Sequence, residues 1–241
     1  MSLSKLERRQ FVDQEEESIY GLISRNEPLS DADLRLVRSE RPLRTITIRN
    51  IRIARIDAVG QVVPYLSEAL ALVNYSLPPS YERVPKSYFT DAYVSTQDGK
   101  YYDTSEQWRG SSFLAFRENS LVGLCIGRQE RIGTPLGWNR TERGFIPLIV
   151  ADPIIRGTHA TIMLILLTSK ALMERGVTEL NGSCAVDNHF ADKIYTRFAK
   201  RRWVDGKWVR YICDNDKLLA LYESMVTKLS IDSSEIDALL S

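Results

Sequence analysis

The chain is poor in the residue types that build metal centres and nucleophilic sites. Only two histidines and three cysteines occur among its 241 residues. The cysteines, Cys125, Cys184 and Cys213, lack metal-ligand spacing and lie in apolar, strand-like runs. This pattern favours buried free thiols in a reducing compartment over a disulfide framework. No metal site is expected, because the two histidines have no further ligands at suitable spacing.

The chain also lacks an excess of either charge sign and a long apolar run. The net charge is +1, so the whole chain has no strong field for nucleic acid or membranes. The longest apolar stretch, residues 162–167, is far shorter than the ~20 residues that span a bilayer. The sequence is charged from Lys5 onward, unlike a secretory signal. We therefore expect a cytoplasmic protein with no membrane segment.

Helix and strand patterns in the sequence divide the chain into three regions. Residues 1–43 contain two capping-box pairs and are predicted to form an N-terminal helical extension. Residues 44–229 alternate strand and helix patterns, which predicts an α/β domain with a mixed sheet and helices on both faces. Residues 230–241 are interpreted as a polar C-terminal tail.

Strand and helix patterns follow one another closely in the central region. Pro147 lies within a strand pattern and cannot donate a ladder hydrogen bond, so we expect that strand to be unpaired or bulged on one side there. The predicted elements are a strand at 44–50, a helix through 62–73, a hairpin turning at 118–120, a strand at 144–153, a helix ending at Arg175 before Gly176, a strand at 177–186, a helix at 188–200, a hairpin turning at 205–206 and a helix at 216–228.

The turn RGTHAT, residues 156–161, joins an apolar strand to an apolar helix. Such a turn presents unpaired backbone N–H groups and the positive end of a helix dipole to an anion. Glycines would ease the close approach of a phosphate, but backbone donors survive any substitution except proline. The side chains of His159 and Thr161 could add donors. The alternative is an ordinary connection capped by Thr158.

A second motif begins at Asn188. Ala191, Ile194, Tyr195 and Phe198 share one face of the predicted helix that follows. A tyrosine on such a face is either a core residue with its hydroxyl bonded locally or a functional group at the edge of a site. Asn188 is well placed to cap the helix.

In this order the motifs resemble the GCN5-related N-acetyltransferase (GNAT) superfamily, over residues 45–214. The family's pyrophosphate turn reads Q/R-x-x-G-x-G/A, which Arg156 fits, whereas His159 and Thr161 replace glycines. The family's N-x-x-A-x-x-x-Y pattern is met by Asn188, Ala191 and Tyr195.

The resemblance implies a fold, a co-substrate and roles for several residues. The fold would be a GNAT-type mixed, mostly antiparallel sheet with splayed central strands and helices on both faces, and the activity an acetyl-CoA-dependent transfer to a primary amine of a small molecule or peptide by direct attack. Tyr195 would protonate the departing thiolate, and Asn188 would hold the cofactor or cap its helix. Cofactor-binding residues would be Ile149, Val150 and Ala151 for the pantetheine arm, and Arg156, Gly157, Thr158, His159, Ala160 and Thr161 for the pyrophosphate.

A general base is not identified. Many relatives carry a glutamate five residues before the asparagine, and that position here is Ser183, which cannot accept the proton. Glu142 and Asp187 are candidates by location only. The missing glutamate and glycines motivate an alternative, a non-catalytic acyl-CoA binding or regulatory module on the same fold.

Other sequence features concern further partners. The cluster Lys200 to Arg202, next to Trp203, could bind nucleic acid, but a solvated helix end is the simpler interpretation. A homodimer is left open. The tyrosine-rich segment 81–102 and the N-terminal helices are expected to shape the acceptor site.

Overall fold

A computed structural model describes residues 43–56, 61, 63–78, 111–132 and 141–241. The predicted N-terminal helical extension, apart from residue 43, and the tyrosine-rich segment lie outside the described residues. None of the helices within those ranges is both long enough and apolar enough to cross a membrane.

The described residues form eight strands and five α-helices. The strands are β1 Arg44–Ile48, β2 Ile51–Ile56, β3 Ser111–Arg117, β4 Ser120–Ile132, β5 Thr141–Ala151, β6 Glu179–Ala185, β7 Ala199–Asp205 and β8 Trp208–Cys213. The helices are α1 Leu66–Ser76, α2 His159–Glu174, α3 His189–Thr196, α4 Asn215–Leu229 and α5 Ser233–Leu240. A short 3-10 turn, Val63–Tyr65, precedes α1.

The strands make one sheet in the order β1-β2-β3-β4-β5-β6-β8-β7. Every neighbouring pair is antiparallel except β5 and β6, which run parallel. Helix α1 packs with one apolar face of the sheet, α2 and α5 pack with the other, and α4 packs on α2. The predicted fold class, a mixed and mostly antiparallel sheet with helices on both faces, is confirmed.

The parallel pair β5–β6 separates half-way along its length. Pairing runs from Arg143 opposite Glu179 to Ile146 opposite Gly182, and both strands continue beyond it without pairing to each other. Pro147 is the first β5 residue after the last pair, and the β4–β5 register also shifts beside it. The expected break at Pro147 is therefore confirmed, and a gap opens between the strands from that point.

The three cysteines are free and buried, as predicted. Burial raises the pKa of the Cys125 and Cys213 thiols to about 12, which keeps both protonated near neutral pH.

Two sequence predictions are corrected in the C-terminal half. The helix expected to reach residue 200 ends at Thr196, and Lys200 to Arg202 lie in β7 rather than at a helix end. Pairing with β8 explains the change, because antiparallel partners are available from Ala199 onward.

The predicted polar tail, residues 230–241, instead contains α5. Asp232 caps this helix, and its apolar face buries Ile236, Leu239 and Leu240. The buried side chain of Arg55 in β2 donates to the carbonyl oxygens of Leu239 and Leu240. These contacts satisfy the last carbonyls of the helix and join α5 to the domain.

Candidate functional site

Tyr195 lies at the point where β5 and β6 part. Its helix, α3, buries the face predicted from periodicity, and the Tyr195 side chain is only 1% exposed. The phenol hydroxyl donates a 3.0 Å hydrogen bond to the carbonyl oxygen of Ile146, the last β5 residue that pairs with β6. The hydroxyl is thus held at the base of the gap between the two strands.

The Tyr195 ring is held between a glycine and a second tyrosine. A Cβ atom at Gly182 would lie 2.6 Å from Cε1 of Tyr195, which is closer than real Cβ contacts allow. The Tyr211 ring stacks on Tyr195 with centroids 5.0 Å apart and an interplanar angle of 24°. Gly182 therefore provides the space that the tyrosine ring occupies.

Tyr211 is in turn anchored by polar contacts. Its hydroxyl donates to a carboxylate oxygen of Asp192 and lies 3.4 Å from Sγ of Cys184. Arg202 in β7 donates to both oxygens of Asp192, at 3.0 Å and 3.1 Å, and holds the pKa of this carboxyl below its usual value. Burial, first of all, raises the pKa of the Tyr211 hydroxyl and of the Cys184 thiol, so both keep their protons near neutral pH.

A narrow cleft lies above Tyr195 between the separated strands. Its volume is about 20 Å³, little more than one water molecule needs. None of the described lining residues carries a carboxylate or an imidazole. They are Leu77 after α1, Pro147, Leu148 and Ile149 of β5, Ser183 and Cys184 of β6, and Asn188, Ala191 and Tyr195 of the α3 region.

In the turn before α2, the N-cap residue does not cap the helix with its side chain. Thr158 is the N-cap residue, but its hydroxyl donates to the Ile155 carbonyl oxygen at 2.7 Å. The buried Thr161 hydroxyl donates to the same oxygen at 2.6 Å, so neither hydroxyl is directed to an external anion as a donor. The backbone N–H groups of the first helical turn remain as the potential donors.

Gly157 supplies the conformational freedom in this turn. Its φ is +76°, in the left-handed region, and no atom lies within 4 Å of the position where a Cβ would be. His159, the first residue of α2, is half-buried. Partial burial, followed by the positive charges of Lys228 and Arg49, lowers the pKa of its imidazole.

Arg156 connects the end of β5 to α3. Its Nε donates a 2.9 Å hydrogen bond to the Ala151 carbonyl oxygen, and its guanidinium carbon lies 5.3 Å from the centroid of the Phe190 ring. Two predicted cofactor residues, Arg156 and Ala151, thus contact each other in this structure. The other two predicted β5 residues, Ile149 and Val150, are buried.

Asn188 caps α3 by accepting a 3.1 Å hydrogen bond from the Ala191 N–H, and it also lines the cleft. Of the positions considered for a base, Ser183 lines the cleft and Asp187 is exposed. The side chain of Glu142 lies outside the described part of the structure. Within the described ranges, no three His, Cys, Asp or Glu residues are grouped to hold a metal ion.

Comparison with known proteins gives structural likenesses only. No protein-family model matches the chain, and no curated protein matches it significantly. Solved structures do match. The PaiA N-acetyltransferase from Thermoplasma acidophilum in complex with coenzyme A is 13% identical, with 67% of this chain and 98% of that chain covered and a TM-score of 0.44.

Two further structures give similar values. The NatC complex bound to Gag peptide and CoA is 12% identical, with 66% and 95% covered and a TM-score of 0.44. The ribosomal-protein-alanine N-acetyltransferase from Brucella melitensis biovar Abortus 2308 is 19% identical, with 64% and 96% covered and a TM-score of 0.43. The likeness concerns the fold. At these identities and TM-scores it carries no inference about activity, substrate or residue roles.

Proposed function

We propose that this protein binds an acyl-coenzyme A, acetyl-CoA in the simplest case, and transfers the acyl group to a primary amine of a small molecule or peptide. The observation that supports this most directly is the gap between β5 and β6. It opens at Ile146, where the Tyr195 hydroxyl is held, and β5 continues from there to the turn before the N-terminus of α2.

The turn fits a diphosphate group. Backbone N–H groups at the start of a 16-residue helix favour an anion, and the side chain of Thr158, the N-cap residue, does not cap them. The space at Gly157 lets a phosphate approach the backbone closely. The positive charges of Arg49 and Lys228 near His159 add to the attraction.

The gap fits a pantetheine arm in its chemistry but not in its width. The β5 segment after Ile146 has no β6 partner on that side, so its main chain can bond the amides of an extended ligand. The described lining is largely apolar. A cleft of about 20 Å³ cannot hold the arm, so binding requires Leu77 and α3 to move apart. At Ala151 a ligand would share the carbonyl oxygen with Arg156, since that oxygen can accept two hydrogen bonds.

The residues of the site have distinct roles in this proposal. The thioester supplies the activated acyl group. The Tyr195 hydroxyl donates a proton to the departing sulfur, and the Ile146 carbonyl oxygen keeps that hydroxyl in one orientation beforehand. A phenol with an ordinary pKa of ~10 is suited to protonating a thiolate whose own pKa rises from ~8.5 in a dry site. The amine loses its proton through water, because the described cleft residues include no carboxylate.

The test is thiol release from acetyl-CoA with a panel of primary amines. Tyr195→Phe is expected to lower kcat by about 10²–10⁴-fold, the usual contribution of a general acid. Tyr222→Phe is the matched control, since this half-buried tyrosine lies on α4, away from the cleft. Equal rates for the wild type and Tyr195→Phe would remove Tyr195 from the chemistry.

A second candidate function is a non-catalytic acyl-CoA binding module. Ser183 lining the cleft, with no carboxylate beside it among the described lining residues, favours this candidate. Calorimetric binding of acetyl-CoA without any product by mass spectrometry across the amine panel would select the module over the enzyme.

A further inference from the structure

Strand β7 is an outer strand of the sheet and is unusually exposed. Among the described residues it pairs only with β8, and each residue from Lys200 to Asp205 is exposed. Trp203 is 38% exposed and Val204 is 59% exposed. An outer strand of this length offers a row of backbone donors and acceptors to another strand.

The hairpin geometry fixes which backbone groups of β7 point outward. Asp205 and Trp208 are partners on either side of a two-residue turn, in which Gly206 has a φ of +59°. In such hairpins the closing pair exchanges hydrogen bonds, and hydrogen-bonded pairs then alternate along the ladder. The N–H and C=O groups of Arg202 and Val204 therefore point away from β8.

The side chains of β7 are self-complementary about Trp203. Arg201, Trp203 and Asp205 share one face of the strand, because side chains alternate between faces. The Arg201 guanidinium lies 5.4 Å from the Trp203 ring centroid. Asp205 binds Arg210 at 2.9 Å through one oxygen, yet its side chain remains 60% exposed.

We propose that β7 pairs antiparallel with β7 of a second copy of this chain, with the two-fold axis at Trp203. This register places Arg201 of each copy opposite Asp205 of the other and sets the two Trp203 rings side by side. Arg202 and Val204, whose backbone groups point outward, become hydrogen-bonded partners across the axis. The charge of Arg202 adds little repulsion, since Asp192 already balances it.

The neighbouring registers are less favourable. Shifting the axis to Arg202 places Arg201 opposite Trp203 and Asp205 opposite Ala199, so the Arg201–Asp205 pair is lost. Shifting it to Val204 leaves Arg201 opposite Lys207 and separates the Arg201–Asp205 pair. If the two-fold axis lay between two residues, each residue whose backbone groups point away from β8 would face a residue whose groups point toward β8. Such pairs cannot exchange hydrogen bonds. The charge pattern therefore favours the axis at Trp203.

The experiment is sedimentation equilibrium of the full chain and of two charge-reversed variants. The wild type is expected to have twice the chain mass of 27.5 kDa. Arg201→Asp places two aspartates opposite each other in each pair, and Asp205→Arg places two arginines there, so each variant alone is expected to dimerise at least tenfold more weakly. An equimolar mixture restores both opposite-charge pairs and is expected to recover the dimer.

The backbone contribution is tested separately. Val204→Pro removes an outward N–H and is expected to give a monomer, whereas Val204→Thr keeps that N–H and is expected to stay dimeric. Circular dichroism checks that each variant is folded. A monomeric wild type, variants that dimerise normally, or a mixture that stays monomeric would each overturn the proposal. None of these outcomes bears on the cleft at Tyr195.

Discussion

Replacing Gly182 with alanine should displace the Tyr195 ring. The added Cβ would meet Cε1 of the ring at 2.6 Å and its Cδ1 and Cζ at 3.0 Å. A stacked ring cannot yield as the tip of a flexible side chain can, because Tyr211 covers it. The hydroxyl then moves away from the Ile146 carbonyl oxygen.

The size of the effect follows from two contributions. Overpacking a dense core costs about 1–3 kcal/mol, and loss of a buried hydrogen bond costs about 1 kcal/mol more. We therefore expect Gly182→Ala to lower the free energy of unfolding by about 2–4 kcal/mol. If Tyr195 is the general acid, kcat for thiol release should also fall by about 10²-fold or more.

Gly144→Ala is a matched control for this prediction. Its Cβ would lie 2.6 Å from Cδ2 of Leu180 and 2.8 Å from Cγ1 of Val177, equally close contacts, but with side chains outside the cleft. Urea unfolding measures both variants, and the thiol-release assay follows at a temperature where both are folded. An unchanged free energy of unfolding for Gly182→Ala would refute the packing argument. Equal kcat in the two variants would refute the link between ring position and activity.

Three further predictions concern other parts of the structure. Because Arg202 holds the pKa of Asp192 below normal, the stabilisation is present above the unfolded pKa of ~3.9 and is lost as pH falls through the lower folded value. The difference in unfolding free energy between wild type and Asp192→Asn should therefore become smaller at acid pH. A difference that does not change with pH would contradict this. Leu77→Ala should widen the cleft and lower the calorimetric Kd for acetyl-CoA, whereas an unchanged or higher Kd would speak against opening at this residue. Deleting residues 231–241 removes three buried side chains, each worth about 1.5–3 kcal/mol, and leaves Arg55 without its helix partner. The urea midpoint should drop sharply, and an unchanged midpoint would show that α5 adds no stability.

Site residues that a short sequence pattern marks could be predicted. The apolar period of α3 placed Tyr195 on the buried face, and Pro147 marked the point where β5 loses a partner. The positions of Gly182 and Tyr211 could not be predicted, because they contact Tyr195 only through the β6–β8 pairing. No local pattern specifies that pairing.

Two elements of the fold depart from the prediction for local reasons. The first strand was predicted, but the turn at Arg49, with a φ of +58°, was missed because no glycine marks it. The following strand, β2, was missed with it. Helix α5, predicted as a polar tail, carries a local helix signal: Asp232 and Glu235 begin it, and its apolar residues recur at helical spacing.

The anion site proposed at the N-terminus of α2 can be tested by changing one backbone donor. His159 is the first residue of α2, where proline is tolerated, and Thr158 before it is already extended, as a residue preceding proline must be. His159→Pro removes one N–H together with the imidazole, and His159→Ala removes the imidazole alone.

Calorimetric titration of both variants with coenzyme A tests most directly whether the backbone N–H groups of this turn bind the diphosphate. A hydrogen bond to a charged group is worth about 1.5–3 kcal/mol, so His159→Pro should bind more than tenfold more weakly than His159→Ala, with α2 still folded. Equal affinities in the two variants, or no binding by the wild type, would contradict a diphosphate held by the amides of this turn.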